Sequence, residues 1–160
     1  MGLRYPSQES GSCFFVTTTF KNWSPFGDTD GFYEALAESL DFYSTKYDSR
    51  IAGYVLMPTH IHLVIFIDGQ ELGKFMRDFK KFIGQKIRCE LRIGSDGIWQ
   101  PRYDRVKLIT ESIFREKLEY LHNNPVMSGS AKLLHDWFWS SAADYSGREN
   151  GPVVVWKEWE

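Results

Sequence analysis

Apolar residues fall along this chain in short blocks whose spacing alternates between that of a strand and that of a helix. Ser12 to Phe20 alternates and runs apolar as a first strand, with Thr17, Thr18 and Thr19 suiting extended backbone. A loop rich in Ser, Pro, Gly and Asp follows from Asn22 to Gly31. From Phe32 to Tyr47 the apolar positions Leu36, Leu40, Tyr43 and Tyr47 recur at helical spacing. Ile51 to Leu56 and His60 to Ile67 read as two strands joined through Met57-Pro58-Thr59, and Leu72 to Leu91 as a long basic helix in which Phe75, Phe79 and Phe82 face the core. Asp104 to Ile109 suits a further strand. The last long element is a helix capped by Thr110, with Glu111 at the positive end of its dipole and Pro125 ending it at or just before Asn124. On that helix Phe114, Leu118 and Leu121 form the buried stripe, and Lys117, Tyr120 and Asn124 a polar row beside it. The order β-α-β-β-α-β predicts an α+β, split ferredoxin-like sandwich, an antiparallel sheet with helices on one face, plus a carboxyl-terminal helix and tail.

With 160 residues, 42% of them hydrophobic and 16% aromatic, the chain supports one sizeable core, so residues 1–160 are expected to form one domain with 147–160 a possible tail. No apolar stretch reaches the length of a membrane span, and the amino terminus lacks the apolar core of a signal peptide, so a cytoplasmic protein is expected. Cys13 and Cys89 have no paired spacing and read as reduced thiols.

One feature of this apolar background needs a chemical reason. His60 and His62 sit two apart in a strand, so they project from one face about 7 Å apart, with Ile61, Val64 and Phe66 assigned to the other. Two neutral imidazoles side by side can share a divalent cation; the alternative is a pair of core histidines, each hydrogen-bonded to a buried partner. Imidazole together with hard oxygen ligands would suit Mg²⁺ or Mn²⁺.

Charge qualifies the choice of partner. The net charge of -2 argues against nucleic acid, but its distribution does not. Residues 74 to 92 carry Lys74, Arg77, Lys80, Lys81, Lys86, Arg88 and Arg92 against Asp78 and Glu90, a local +5, and Arg102, Arg105 and Lys107 follow. Such a stripe is either a solvated helix face or a phosphate track, the latter with Trp99 and Tyr103 available for base stacking.

Four blocks in order carry a resemblance: Met57-Pro58-Thr59-His60-Ile61-His62-Leu63-Val64, Ile98-Trp99-Gln100-Pro101-Arg102-Tyr103, Tyr120-Leu121-His122-Asn123-Asn124-Pro125-Val126, and Trp139-Ser140-Ser141-Ala142-Ala143-Asp144-Tyr145. Together, over roughly residues 4 to 146, they resemble the IS200-like single-tyrosine transposases, and in particular their relatives associated with repetitive extragenic palindromes. The resemblance implies the same ferredoxin-like fold. By position it implies that His60 and His62, with Asn124, hold a divalent metal (Mg²⁺ or Mn²⁺) and that Tyr120 attacks a DNA phosphate. The expected activity is a metal-dependent single-stranded DNA endonuclease and strand transferase working through a 5′-phosphotyrosine at hairpin or palindromic DNA. Lys74, Arg77, Lys80, Lys81, Lys86, Arg88, Arg102 and Arg105 are the expected DNA contacts, and a nucleoid-associated monomer is favoured over a homodimer. Two other classes compete with this reading: a hairpin-binding module that does not cut, and a small metallo-phosphoesterase in which Tyr120 is a bystander.

Overall fold

A computed structural model describes residues 12–90, 97–148 and 150–159. Four strands, β1 (Ser12–Thr19), β2 (Arg50–Leu56), β3 (His60–Ile67) and β4 (Asp104–Leu108), form one sheet in the order β2-β3-β1-β4. Every neighbouring pair is antiparallel. With α1 (Phe32–Lys46) between β1 and β2, and α2 (Gly69–Glu90) between β3 and β4, this is the predicted split ferredoxin-like arrangement. Leu91, the predicted end of the second helix, and Arg92 lie outside the described residues.

α1 and α2 pack together on one face, as expected. Leu36 and Leu40 meet Leu72, Phe75, Met76, Phe79, Ile83 and Ile87 over the sheet residues Phe14, Val16, Ile61, Leu63 and Ile65. Phe82 departs from its core assignment: it is 42% exposed, and its ring borders Tyr43 at the outer seam of the two helices. The opposite face is covered by a third helix, α3 (Glu111–Met127), through Phe114, Leu118 and Leu121. Val64 and Phe66 belong to this second face, correcting their assignment away from the histidines. The physical reason is period-two alternation, since β3 pairs with β1 without a register shift and places residues 62, 64 and 66 on one side. Because both faces are covered, β3 reads as nearly continuous hydrophobic sequence, which obscured the alternation.

α3 begins where predicted: Thr110 Oγ1 accepts a hydrogen bond from the Ile113 amide at 3.2 Å. It ends later than predicted, because Pro125 lies inside the helix and Met127 is its last residue. A proline withholds only its own N–H, and the final turn is closed by Ser128 N–H to Asn124 O at 3.0 Å and Ser130 N–H to Pro125 O at 2.8 Å.

The depth at which α3 sits is set by Gly53. β2 shifts register between Ile51 and Gly53, and a Cβ on Gly53 would stand 2.4 Å from Leu118 Cδ2. Gly53→Ala is therefore expected to destabilise the fold by about 1–3 kcal/mol through overpacking, measured by denaturant unfolding. A double-mutant cycle with Leu118→Ala should be strongly non-additive. Additive costs would show that the two residues do not meet.

The carboxyl-terminal segment is a strap around the β2 edge. Val153 is buried in the α1/α2 core, Trp156 N–H donates to Ile51 O at 2.9 Å, and Arg50 stacks on the Trp156 ring at 4.5 Å. Trp159 ends against Phe66 and Phe114, at the opposite end of β3 from His60. Among the described residues no helix is long and apolar enough to cross a membrane. Cys13 is buried and Cys89 exposed, and both are free thiols. Burial pushes the Cys13 thiol well above its ordinary range, which leaves it chemically inert.

Candidate active site

β1 and β3 are in register with Thr17 opposite His62 and Thr19 opposite His60. Side chains on opposed residues share a face, so the threonines of β1 flank the imidazoles of β3. Thr17 Oγ1 lies 2.9 Å from His62 Nδ1, and Thr59 Oγ1 lies 2.9 Å from His60 Nδ1. With both Nδ1 atoms engaged in this way, the Nε2 atoms are left for other work. The two rings stand 4.7 Å apart, centre to centre.

α3 supplies the other half of the site. Asn124 Oδ1 lies 3.2 Å from His60 Nε2. One turn earlier Tyr120 sets its ring edge-on to His62 at 5.6 Å and to Phe15 at 5.8 Å, and it is 52% exposed. The structure thus brings His60 and His62 together with Tyr120 and Asn124, His60 and Asn124 being 64 positions apart in the chain.

The donor set fits a hard divalent ion. Adjacent ligands of an octahedral ion at about 2.1 Å lie about 3 Å from one another, close to the Nε2–Oδ1 separation of 3.2 Å. Burial lowers the His60 affinity for protons, opposed by the Asn124 contact. His62 is lowered to about 3, by burial first and then by the nearby His60 and Lys117. Both imidazoles are therefore neutral at pH 7, the form that can coordinate. Among the described residues no cluster of three His, Cys, Asp or Glu side chains could hold a metal ion, and the amide oxygen of Asn124 is the oxygen that lies against His60 Nε2.

Two of the sequence blocks turn out to be braces. In the fourth, Ser141 Oγ accepts from the Tyr54 amide at 3.0 Å and meets His122 Nε2 at 2.7 Å, tying α3 to β2. Tyr145 in the short helix α4 (Ala142–Tyr145) donates its hydroxyl to Ala52 O at 2.6 Å. In the second, Gln100 N–H donates to Thr19 O at 2.9 Å and Trp99 Nε1–H to Lys80 O at 2.9 Å. Trp99 and Tyr103 are half-buried and pack against the α1/α2 core, across the sheet from the histidines.

The basic residues stand apart from the site. α2 lies across the sheet from His60, His62 and Tyr120, so Lys74, Arg77, Lys80, Lys81, Lys86 and Arg88 are on the far side. Lys74 pairs with Glu71, Arg77 with Asp78 and Lys86 with Glu90. Lys80 donates to Gln100 O at 3.2 Å and Arg102 O at 2.7 Å, which makes it a loop clamp. Lys81, Arg88, Arg102 and Arg105 are exposed.

Sequence reasoning missed Phe15, Thr17 and Thr59. Phe15 is the surface on which the site is assembled, stacked on His62 at 5.2 Å and edge-on to Tyr120. Its only sequence signal was its place two residues before Thr17 in an apolar strand, and nothing local announces which strand it will pair with.

The antiparallel sheet thus carries a His-hydrophobic-His strand with a helix tyrosine against the same face. Residues 16–124 match the family described as Transposase IS200 like, and the chain belongs to that family. It is 24% identical over 135 residues to the REP-associated tyrosine transposase of Escherichia coli (strain K12), covering 83% of this chain and 77% of that protein. It also superimposes on the solved structure of a REP-associated tyrosine transposase bound to a REP hairpin, with a TM-score of 0.74 and 21% identity, over 99% of this chain and 94% of that one.

Proposed function

We propose that this transposase is a metal-dependent single-stranded DNA endonuclease and strand transferase that works through a 5′-phosphotyrosine at hairpin DNA. The observation that carries this reading is the convergence of Asn124 Oδ1 on His60 Nε2 at 3.2 Å while Tyr120, one turn away on the same helix, stands on His62. His60, His62 and Asn124 would hold Mg²⁺ or Mn²⁺. When bound, the ion supplies Lewis-acid stabilisation of charge on the non-bridging phosphate oxygens. α3 presents the Tyr120 oxygen to the phosphorus; the O–P bond forms as the bond to the 3′ oxygen breaks, and the phenol proton is lost while the leaving oxygen gains one from water. The energy of the broken ester is kept in the phosphotyrosine, so a second 3′-hydroxyl can reverse the step without a nucleotide cofactor. Asn124 and Thr17 orient the imidazoles and Phe15 supports the rings, with a monomer as the proposed working unit.

The substrate reading rests on access and charge. Tyrosine attack calls for an accessible, unpaired phosphate, and a chain of net charge -2 is poorly suited to wrapping long duplex. A stem-loop offers a compact, shaped duplex stem and a free single-stranded flank for the site. The hairpin held by the structurally similar transposase is in keeping with this, and the nucleoid is the setting such a substrate implies.

The test is a denaturing gel after incubation with labelled DNA and Mn²⁺. Covalent adduct is expected with a stem-loop carrying a single-stranded 5′ extension, with little or none from fully paired duplex of matching sequence. Equal cleavage of the two would sink the substrate reading. Cleavage without adduct would indicate a phosphoesterase, and binding without cleavage a recognition module.

A further inference from the structure

Lys117 lies on α3 one turn before Tyr120, half-buried, with Nζ 5.1 Å from the centre of the Phe15 ring and 5.7 Å from that of Tyr120. We propose that Lys117 is a further catalytic residue of this site, its ammonium directed at the scissile phosphate and the tyrosine oxygen as negative charge develops on them. The inference rests on the reading of Tyr120 as nucleophile.

Three observations carry it. The first is the absence of a counter-ion. On a helix a lysine finds its partner three or four residues away, and here those positions are Ile113, Phe114, Tyr120 and Leu121, none of them acidic. Among the described residues no carboxylate pairs with Lys117, and Glu111, the acid of the preceding turn, is taken by Arg115 at 3.1 Å.

The second is confinement. Phe15 is buried at 7% exposure, and its ring is shared by His62, Tyr120 and the Lys117 ammonium. A lysine wholly in solvent would leave its charge far from the chemistry; this one is held between the ring of the nucleophile and the ring that supports the histidine pair.

The third is the charge of the site itself. Imidazoles that coordinate a cation and the amide of Asn124 carry no charge of their own, so a fixed positive charge from the protein has to come from elsewhere. A cation fixed beside developing negative charge in a partly dry cleft acts without reorganisation at the moment of reaction. Lys117 stays protonated throughout: the tyrosine oxygen bonds to phosphorus, the bond to the 3′ oxygen breaks, and the protons exchange with water. In the reverse step the phenolate leaves, and the same ammonium stabilises it, so both directions depend on the charge.

The test compares Lys117→Met, which keeps the stem and its packing, with Lys117→Arg, which keeps the charge. Single-turnover adduct formation and rejoining would be followed on the stem-loop with Mn²⁺, with hairpin Kd measured by fluorescence anisotropy at the same salt. Lys117→Met is expected to slow both steps by about 10²-fold, with Kd changed by less than about fivefold, as befits one contact among several. Lys117→Arg should recover at least tenfold of that loss. Lys117→Gln gives an independent neutral variant should the Met side chain disturb folding in a thermal melt. A neutral variant that cleaves at the wild-type rate overturns the proposal, as does a loss that appears wholly in Kd, or an arginine variant no better than the neutral one. A wild-type chain that forms no adduct at all overturns the parent reading of Tyr120 instead, so the two failures are separable.

Discussion

Tyr120→Phe is expected to abolish covalent adduct formation while leaving the fold almost untouched. The substitution deletes one oxygen from a ring that is 52% exposed and keeps the edge-on contacts to His62 and Phe15 that hold it. No hydrogen bond from the Tyr120 hydroxyl to a described residue is lost, so the stability change should fall within about 0.5 kcal/mol, as for a surface substitution. The chemical effect is total by comparison, because a nucleophile cannot be replaced by a ring carbon. Adduct on a labelled stem-loop is the measurement. Adduct formed by the phenylalanine variant would remove Tyr120 from the mechanism, and Tyr103, which packs on the α1/α2 side of the sheet, is too far from the histidines to inherit the role.

His60→Ala combined with His62→Ala should abolish cleavage and spare hairpin binding. Both imidazoles use Nδ1 on a threonine hydroxyl and His60 also meets Asn124, so their removal leaves Thr17, Thr59 and Asn124 without these partners but breaks no salt bridge. His62 is only 5% exposed and stacks on Phe15, so its loss should cost about 1–3 kcal/mol of stability, in the usual range for a buried substitution. Hairpin Kd should change little, because backbone contacts set position and affinity while the ion serves the chemical step. Activity would be assayed with added Mn²⁺ and again with chelator. A double variant that cleaves undiminished in chelator would take the metal out of the mechanism, and one that loses hairpin binding in proportion to cleavage would place the histidines in DNA recognition.

Much of this was legible along the chain. The strand containing His60 and His62, the Thr110 cap and the Phe114-Leu118-Leu121 stripe follow from local rules, since hydrophobic period and capping chemistry act over a few residues. The end of α3 was misplaced because a proline in the last turn removes one donor, and that single loss was offset by bonds from Ser128 and Ser130 beyond the predicted stop. The basic stripe was read correctly as a helix and incompletely as a surface. Whether a lysine is free or clamped, as Lys80 is by the carbonyls of Gln100 and Arg102, depends on what a segment twenty residues away does.

The sequence by itself determined the element order, the pairing of two imidazoles on one face of a strand, and the row of Lys117, Tyr120 and Asn124 on one side of a helix, because each is a consequence of backbone periodicity. Only the tertiary structure decided that these two rows face each other. That depended on α3 crossing to the face of the sheet opposite α1 and α2, at a depth allowed by the missing side chain of Gly53, and on β1 pairing with β3 so that Phe15 and Thr17 came to lie against His62 and Tyr120. The β1–β3 register and the choice of sheet face are settled by contacts between residues far apart in the chain, such as Thr17 and His62 at 45 positions, where no local period carries information, and the apolar area on both faces of β3 makes either face an acceptable site for a helix until the whole sheet is packed.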